Sequence, residues 1–136
     1  MALIVLDAGL LIAVLDTGDA HHEDAAQQLR EVRSRGDRVL VPVSAYAEAM
    51  VRPSAAGTAA QSRLDRFLDD LAADVTPATR SIGRRAAELR AAHGIRLRLP
   101  DALVLGTALE VGADAVLTTD ARWPDAGVPV IVVGRT

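Results

Sequence analysis

The stretch ALIVLDAGLLIAVL, residues 2–15, decides the fold class. Ala2 to Leu6 is apolar at every position, the pattern of a strand covered on both faces and hence of a parallel sheet. After Asp7-Ala8-Gly9 the apolar run resumes and continues through Val14, which reads as a buried helix fed directly by that strand. A signal or membrane segment is the competing reading. The stretch has no basic leader, is too short to span a bilayer and carries Asp7 at its centre. No membrane association and a cytoplasmic location are therefore expected. A charge within an apolar run is costly unless a partner compensates it, so Asp7 is the first candidate functional residue.

Downstream, the polar break Asp16-Thr17-Gly18-Asp19 precedes a helix expected from about Ala20 to Arg35, capped by Asp19 and ended by Gly36. Ala25, Leu29 and Val32 form its inner face. Val39 to Val41 reads as a second strand closed by Pro42. Ser44 then caps a short helix, Ala45 to Val51, which carries Glu48 and is stopped by Pro53. Residues 59–73 hold Leu64, Phe67, Leu68 and Leu71 at helical spacing. A brief strand is expected near 74–76. Pro77 opens a helix running to His93, with Ile82, Ala86 and Leu89 inward and Gly94 at its end. Pro100-Asp101 opens another, to Val111, apolar on nearly every side. Such a helix belongs in the core or at a subunit contact, which suggests a homodimer. Ala115–Thr118 and Val130–Val133 complete the strands. Alternating strands and helices imply one α/β domain over residues 1–136, with a parallel sheet of about four to five strands and helices on both faces.

Composition excludes several functions. Half of the 136 residues are hydrophobic, yet Trp123, Tyr46 and Phe67 are the only aromatics. The core must be aliphatic, and there is no aromatic surface for stacking bases. With no cysteine, thiol catalysis, disulfides and cysteine-bound zinc are out. The formal net charge of −3 provides no global field for nucleic acid. All 15 basic residues are Arg.

Ligands of open α/β sheets bind beyond the carboxyl ends of the strands. Asp7 follows the first strand directly, and Asp120 lies just past the strand ending at Thr118. Glu48 sits on the helix after the second strand, and Asp101 in the first turn of a helix, where the dipole favours an anion. Each could cap a turn independently, and for any one of the four except Asp7 that is the simpler account. If they converge, two unit charges about 4 Å apart repel by roughly 4 kcal/mol at an effective dielectric of 20. Cations or shifted pKa values must then relieve the site. There is no Lys, and no Arg adjoins Asp7 or Glu48 in sequence. An all-oxygen donor set lacking His and Cys selects Mg²⁺ or Mn²⁺ over zinc, and such ions serve phosphodiester hydrolysis.

These residues bring a family into view. IVLDAGLLIAVLD at the start, SAYAEAMVR in the middle and LRLPDALVLGTALEVGADAVLTTDARW near the end resemble the PIN-domain nucleases, and within them the VapC-type toxins of bacterial toxin–antitoxin pairs. The resemblance covers essentially the whole chain. It implies that Asp7, Glu48, Asp101 and Asp120 are the metal-site acids and that the Thr118 hydroxyl supports them. It also implies an RNA substrate and a cognate antitoxin protein that restrains the activity. Ala8 and Gly9 depart from the Ser or Thr that many members carry just after the first Asp.

Arg80, Arg84, Arg85 and Arg90, with Arg96 and Arg98 beyond, form a basic stretch able to hold RNA phosphates or to serve as a solvated helix face. Arg52, four residues after Glu48, can pair with it or reach a phosphate, and Arg122 offers a further route for RNA. His21, His22 and His93 lack metal-site spacing and read as capping or solvent-facing residues. The leading reading is a Mg²⁺- or Mn²⁺-dependent endoribonuclease toxin. The alternative is a catalytically weak or inactive PIN-like module acting through protein or RNA contacts. A phosphotransfer receiver would show paired early acids and a late Lys, and a haloacid-dehalogenase-type phosphatase would want Asp where Gly9 stands.

Overall fold

A computed structural model describes residues 1–134. Its centre is the strand anticipated from the opening run, β1 (Leu3–Leu6). This strand pairs in parallel with β2 (Arg38–Pro42) on one side and β4 (Ala115–Thr118) on the other, so that Ile4 is aligned with both Val39 and Ala115. β3 (Asp74–Thr76) and β5 (Val130–Val132) lie at the edges, giving a five-stranded parallel sheet in the order β3-β2-β1-β4-β5. Consecutive residues Val5 and Leu6 on β1, and Val116, Leu117 and Thr118 on β4, are all buried. Consecutive strand residues face opposite ways, so both faces of the sheet are covered, as an apolar run without alternation requires.

Among the described residues six α-helices supply the cover: α1 (Ala8–Leu15), α2 (His22–Ser34), α3 (Val43–Ala56), α4 (Thr58–Asp70), α5 (Arg80–His93) and α6 (Leu99–Val111). Gly36 and Gly112 take positive φ just beyond α2 and α6, the conformation that ends a helix at no steric cost to glycine. The apolar girth of α6 is mostly absorbed within the chain. Val104, Leu105 and Ala108 are buried, and Gly106 brings α6 against the α5 backbone, where an added Cβ would meet Ala86 N and Ile82 O at 3.2 Å. Leu99 at the start of α6 and Ile95 before it remain exposed.

Several helix ends differ from the sequence expectation. α2 begins at His22 without a side-chain cap; Asp19 instead accepts from His21 N in a local turn. α3 begins at Val43, ahead of Ser44, and runs through Pro53 to Ala56. A proline sacrifices one intrahelical bond rather than necessarily ending the helix, and Gly57 terminates this one. α5 starts after Thr79, whose hydroxyl accepts from Ile82 N, rather than at Pro77. β5 ends at Val132, one residue short. Among the described residues no helix is long and apolar enough to cross a membrane.

Candidate active site

In this sheet the chain steps from β1 outward through β2 to β3, then returns to place β4 on the other side of β1. The order reverses between β1 and β4, and their carboxyl ends flank the crevice where such sheets bind ligands. Asp7 leaves β1 there, and Thr118, Thr119 and Asp120 leave β4. Glu48 reaches the same place from α3 and Asp101 from the first turn of α6. All four acids line one cavity of about 450 Å³, together with Gly9, Ile12, Arg98 and Arg122.

Asp7 is buried, with 8% of its surface exposed. Its Oδ1 accepts from Gly9 N at 2.9 Å, capping α1, and its Oδ2 accepts from the Thr118 hydroxyl. Asp7 therefore has the capping role that any of these acids could have had, in addition to facing the cavity. Burial drives its pKa up to about 6, against the pull of the Thr118 and Gly9 hydrogen bonds and with the help of the Asp101 and Glu48 charges. Partial desolvation at the cavity rim, and then the neighbouring Asp101 charge, raise Glu48, which is otherwise exposed. Asp101 is raised by burial and lowered in part by Arg98. Asp120 goes the other way, because Arg122 holds it below the usual carboxylate range. Thr118 ties the two strand-end acids together, since the hydroxyl that donates to Asp7 also accepts from Asp120 N at 3.0 Å.

The site thus relieves its repulsion by both available routes, shifted pKa values and cations. The cations are Arg98 and Arg122. Arg122 forks onto Asp120 with Nε–Oδ1 and Nη2–Oδ2 both 3.0 Å, and Arg98 Nε lies 3.6 Å from Asp101 Oδ2. Neither was read from the sequence as a partner of these acids. The signals were present: Arg98 is three residues before Asp101 at a helix start, and Arg122 two residues after Asp120.

The other basic candidates lie elsewhere. Arg80, Arg84 and Arg85 are exposed on α5 and do not line the carboxylate cavity. Arg85 is bound to Glu110 of α6 at 2.5 Å. Arg52 makes no ion pair with Glu48 among the described residues and instead lines an adjoining groove with Ile12, Pro53 and Arg63. His22 Nδ1 bonds Ala13 O at 2.9 Å, and His21 and His93 flank helix ends.

As the side chains stand, no three acids or histidines among the described residues form a finished metal clamp. Asp120 is turned onto Arg122, and Asp101 leans to Arg98. In kind and in grouping the donors nevertheless fit a hard divalent ion. They are oxygen only, they line one cavity, and burial with a smaller contribution from their neighbouring charges raises three of the four pKa values.

The comparisons agree with this fold. No curated protein sequence matches the chain. Among solved structures it is similar to VapBC2 of Rickettsia felis, bound to a DNA fragment from their promoter, with a TM-score of 0.78 at 14% identity over 96% of this chain and 98% of that one. It is also similar to FitAcB of Neisseria gonorrhoeae (TM-score 0.71, 19% identity, 93% and 95% covered). A third is VapC20 of Mycobacterium tuberculosis, a toxin that cleaves the sarcin–ricin loop (0.66, 18%, 83% and 86%). At such identities the likeness is one of fold. The family model described as PIN domain matches residues 4–129, and the chain therefore belongs to the PIN domain family.

Proposed function

We propose that this chain is a Mg²⁺- or Mn²⁺-dependent endoribonuclease and the toxin of a toxin–antitoxin pair. The observation that carries the reading is the convergence of Asp7, Glu48, Asp101 and Asp120, distant in sequence, on one cavity at the switch point of the sheet. A divalent ion held by these carboxylates would supply an activated water and neutralise charge on a phosphodiester. The chain's own residues set the stage for it. Thr118 and Gly9 fix the orientation of Asp7. Asp101 and Asp120 present oxygens from a helix start and a strand end, while Glu48 lies exposed on the cavity rim. Arg98 and Arg122 bring positive charge to a site that must admit a polyanion.

Arg80 and Arg84, which have no carboxylate partner among the described residues, and Arg52 in the adjoining groove are proposed to hold RNA further from the cut. Arg85 shares its charge with Glu110 and would contribute less. The reading places residues 1–136 in the cytoplasm as one nuclease unit under the control of a cognate antitoxin. In support of a protein partner, similar folds were crystallised as a toxin–antitoxin complex from Klebsiella pneumoniae and as VapBC2. A symmetric dimer is part of the proposal. Its support is the exposed apolar pair Ile95 and Leu99, which a self-complementary contact would cover.

The test is incubation with total cellular RNA, with and without Mg²⁺, followed by mapping of the ends. Discrete cuts that require the ion are expected. Intact RNA under both conditions, from protein whose melting temperature rises with Mg²⁺, would leave a PIN-like binding module as the better account.

A further inference from the structure

The carboxylate cavity opens into a second cleft of about 670 Å³, which shares Arg98, Asp101, Asp120 and Arg122 with it and adds Arg96 and Trp123. Arg122 sits where the two meet. Its fork takes both oxygens of Asp120, and its own backbone N also donates to Oδ1 at 2.9 Å. A carboxylate oxygen has about two lone-pair directions; on Oδ1 both are used. Asp120 cannot keep this fork and also give Oδ1 to a metal ion, and an ion on the one lone-pair direction left at Oδ2 would stand close to the guanidinium, like charge against like. The pair is nonetheless open to exchange, because the Arg122 side chain is 82% exposed against 21% for Asp120, so the guanidinium can swing into solvent while the carboxylate stays at the cavity. Once released, the guanidinium would lie in a cleft already lined by Arg96 and Arg98. Three like charges are held together there best by a bridging anion, and Arg offers phosphate a matching pair of donors.

We propose that Arg122 is a counter-ion that changes partner: it holds Asp120 until a divalent cation takes that carboxylate, and it then binds a phosphate of the RNA beside Arg96 and Arg98. The proposal rests on the nuclease reading above. It makes Arg122 the residue that couples metal loading to RNA capture, so each ligand favours the other by the same factor.

Three measurements on the full chain test it. In NMR spectra the Arg122 side-chain Nε–H signal should shift on titration with Mg²⁺. Mn²⁺ affinity, read by electron paramagnetic resonance without RNA, should rise by up to about five-fold in Arg122→Ala, since an exposed ion pair is what the ion must displace. Arg122→Lys should rise similarly, because it keeps the charge but loses the fork. In stopped-flow anisotropy, which reads capture of a short single-stranded RNA before it is cut, Arg122→Ala should lower the log–log salt slope by about 0.7 when Mg²⁺ is present. Without Mg²⁺ the slope should match wild type. An Arg122 signal that ignores Mg²⁺ while the ion raises the melting temperature overturns the exchange and leaves the nuclease reading intact. So does an Arg122→Lys protein that binds Mn²⁺ as wild type does, since charge alone would then explain the alanine result. A melting temperature indifferent to both ions overturns the nuclease reading together with the exchange.

Discussion

Asp7 is where burial and function conflict most. Its folded pKa of about 6 lies above the ordinary 3.8. Between those values the folded protein holds a proton that the unfolded chain has released. The associated stabilisation is complete below about pH 4 and is lost as pH rises through 6. Two units of pKa correspond to roughly 3 kcal/mol. Urea denaturation of wild type and Asp7→Asn across pH 4–7, without divalent ions, should show the difference between them changing by about that amount, with wild type losing ground at the high end. A difference independent of pH would mean that Asp7 titrates as an ordinary surface acid. Thr118 is the second informative position. It is fully buried and bonds both strand-end acids. Thr118→Val keeps the shape and removes the hydroxyl, so it should cost about 1–3 kcal/mol, the usual penalty for stranding buried polar groups. Thermal melts should show the loss, and Thr118→Ser should restore most of it. The importance of Asp7 was legible in the sequence because an acid in an apolar run needs a reason. The approach of Arg98 to Asp101 and the fork of Arg122 on Asp120 were not read, because a short-range charge pair and a solvated arginine look alike until the backbone turns them toward the same cavity.

Among the secondary-structure elements, the α5–α6 contact depends on the absence of a side chain. An alanine Cβ at position 106 would meet Ala86 N and Ile82 O at 3.2 Å, and those backbone atoms belong to a helix that cannot rotate away like a side-chain tip. Gly106→Ala should therefore force the helices apart and destabilise by about 1–3 kcal/mol, the usual cost of overpacking, despite alanine's better helix propensity. Chemical denaturation checks this; an unchanged or raised midpoint would show that the interface has slack. Helix α6 itself was legible from Pro100, Asp101 and the apolar run to Val111. Its burial within the chain was not, because girth alone does not say whether a neighbouring helix or a second subunit covers it. The ends of α3 illustrate a different limit. Pro53 looks like a stop, but its ring needs only the preceding turn to yield one hydrogen bond, and Gly57 with its positive φ ends the helix one turn later.

For the molecule as a whole, the parallel sheet followed from consecutive apolar residues in β1 and β4, and the strand–helix alternation fixed the class. The order β3-β2-β1-β4-β5 depends on which strands return beside β1, a long-range fact that no local pattern contains. That order helps make the four acids neighbours, a grouping whose repulsion is relieved by shifted pKa values and by Arg98 and Arg122, and whose oxygen-only donors suit a hard divalent ion. The function proposed above rests on that donor set and on the PIN fold. Its most direct test compares RNA cleavage by wild type and Asp7→Asn at equal concentration, with Mg²⁺, after circular dichroism has shown both to be folded. Wild type should cut RNA only when the ion is present, and Asp7→Asn should lose at least about a hundred-fold in rate, the lower range for removing a group that acts in the chemistry. A folded Asp7→Asn protein that cleaves at the wild-type rate would contradict the account.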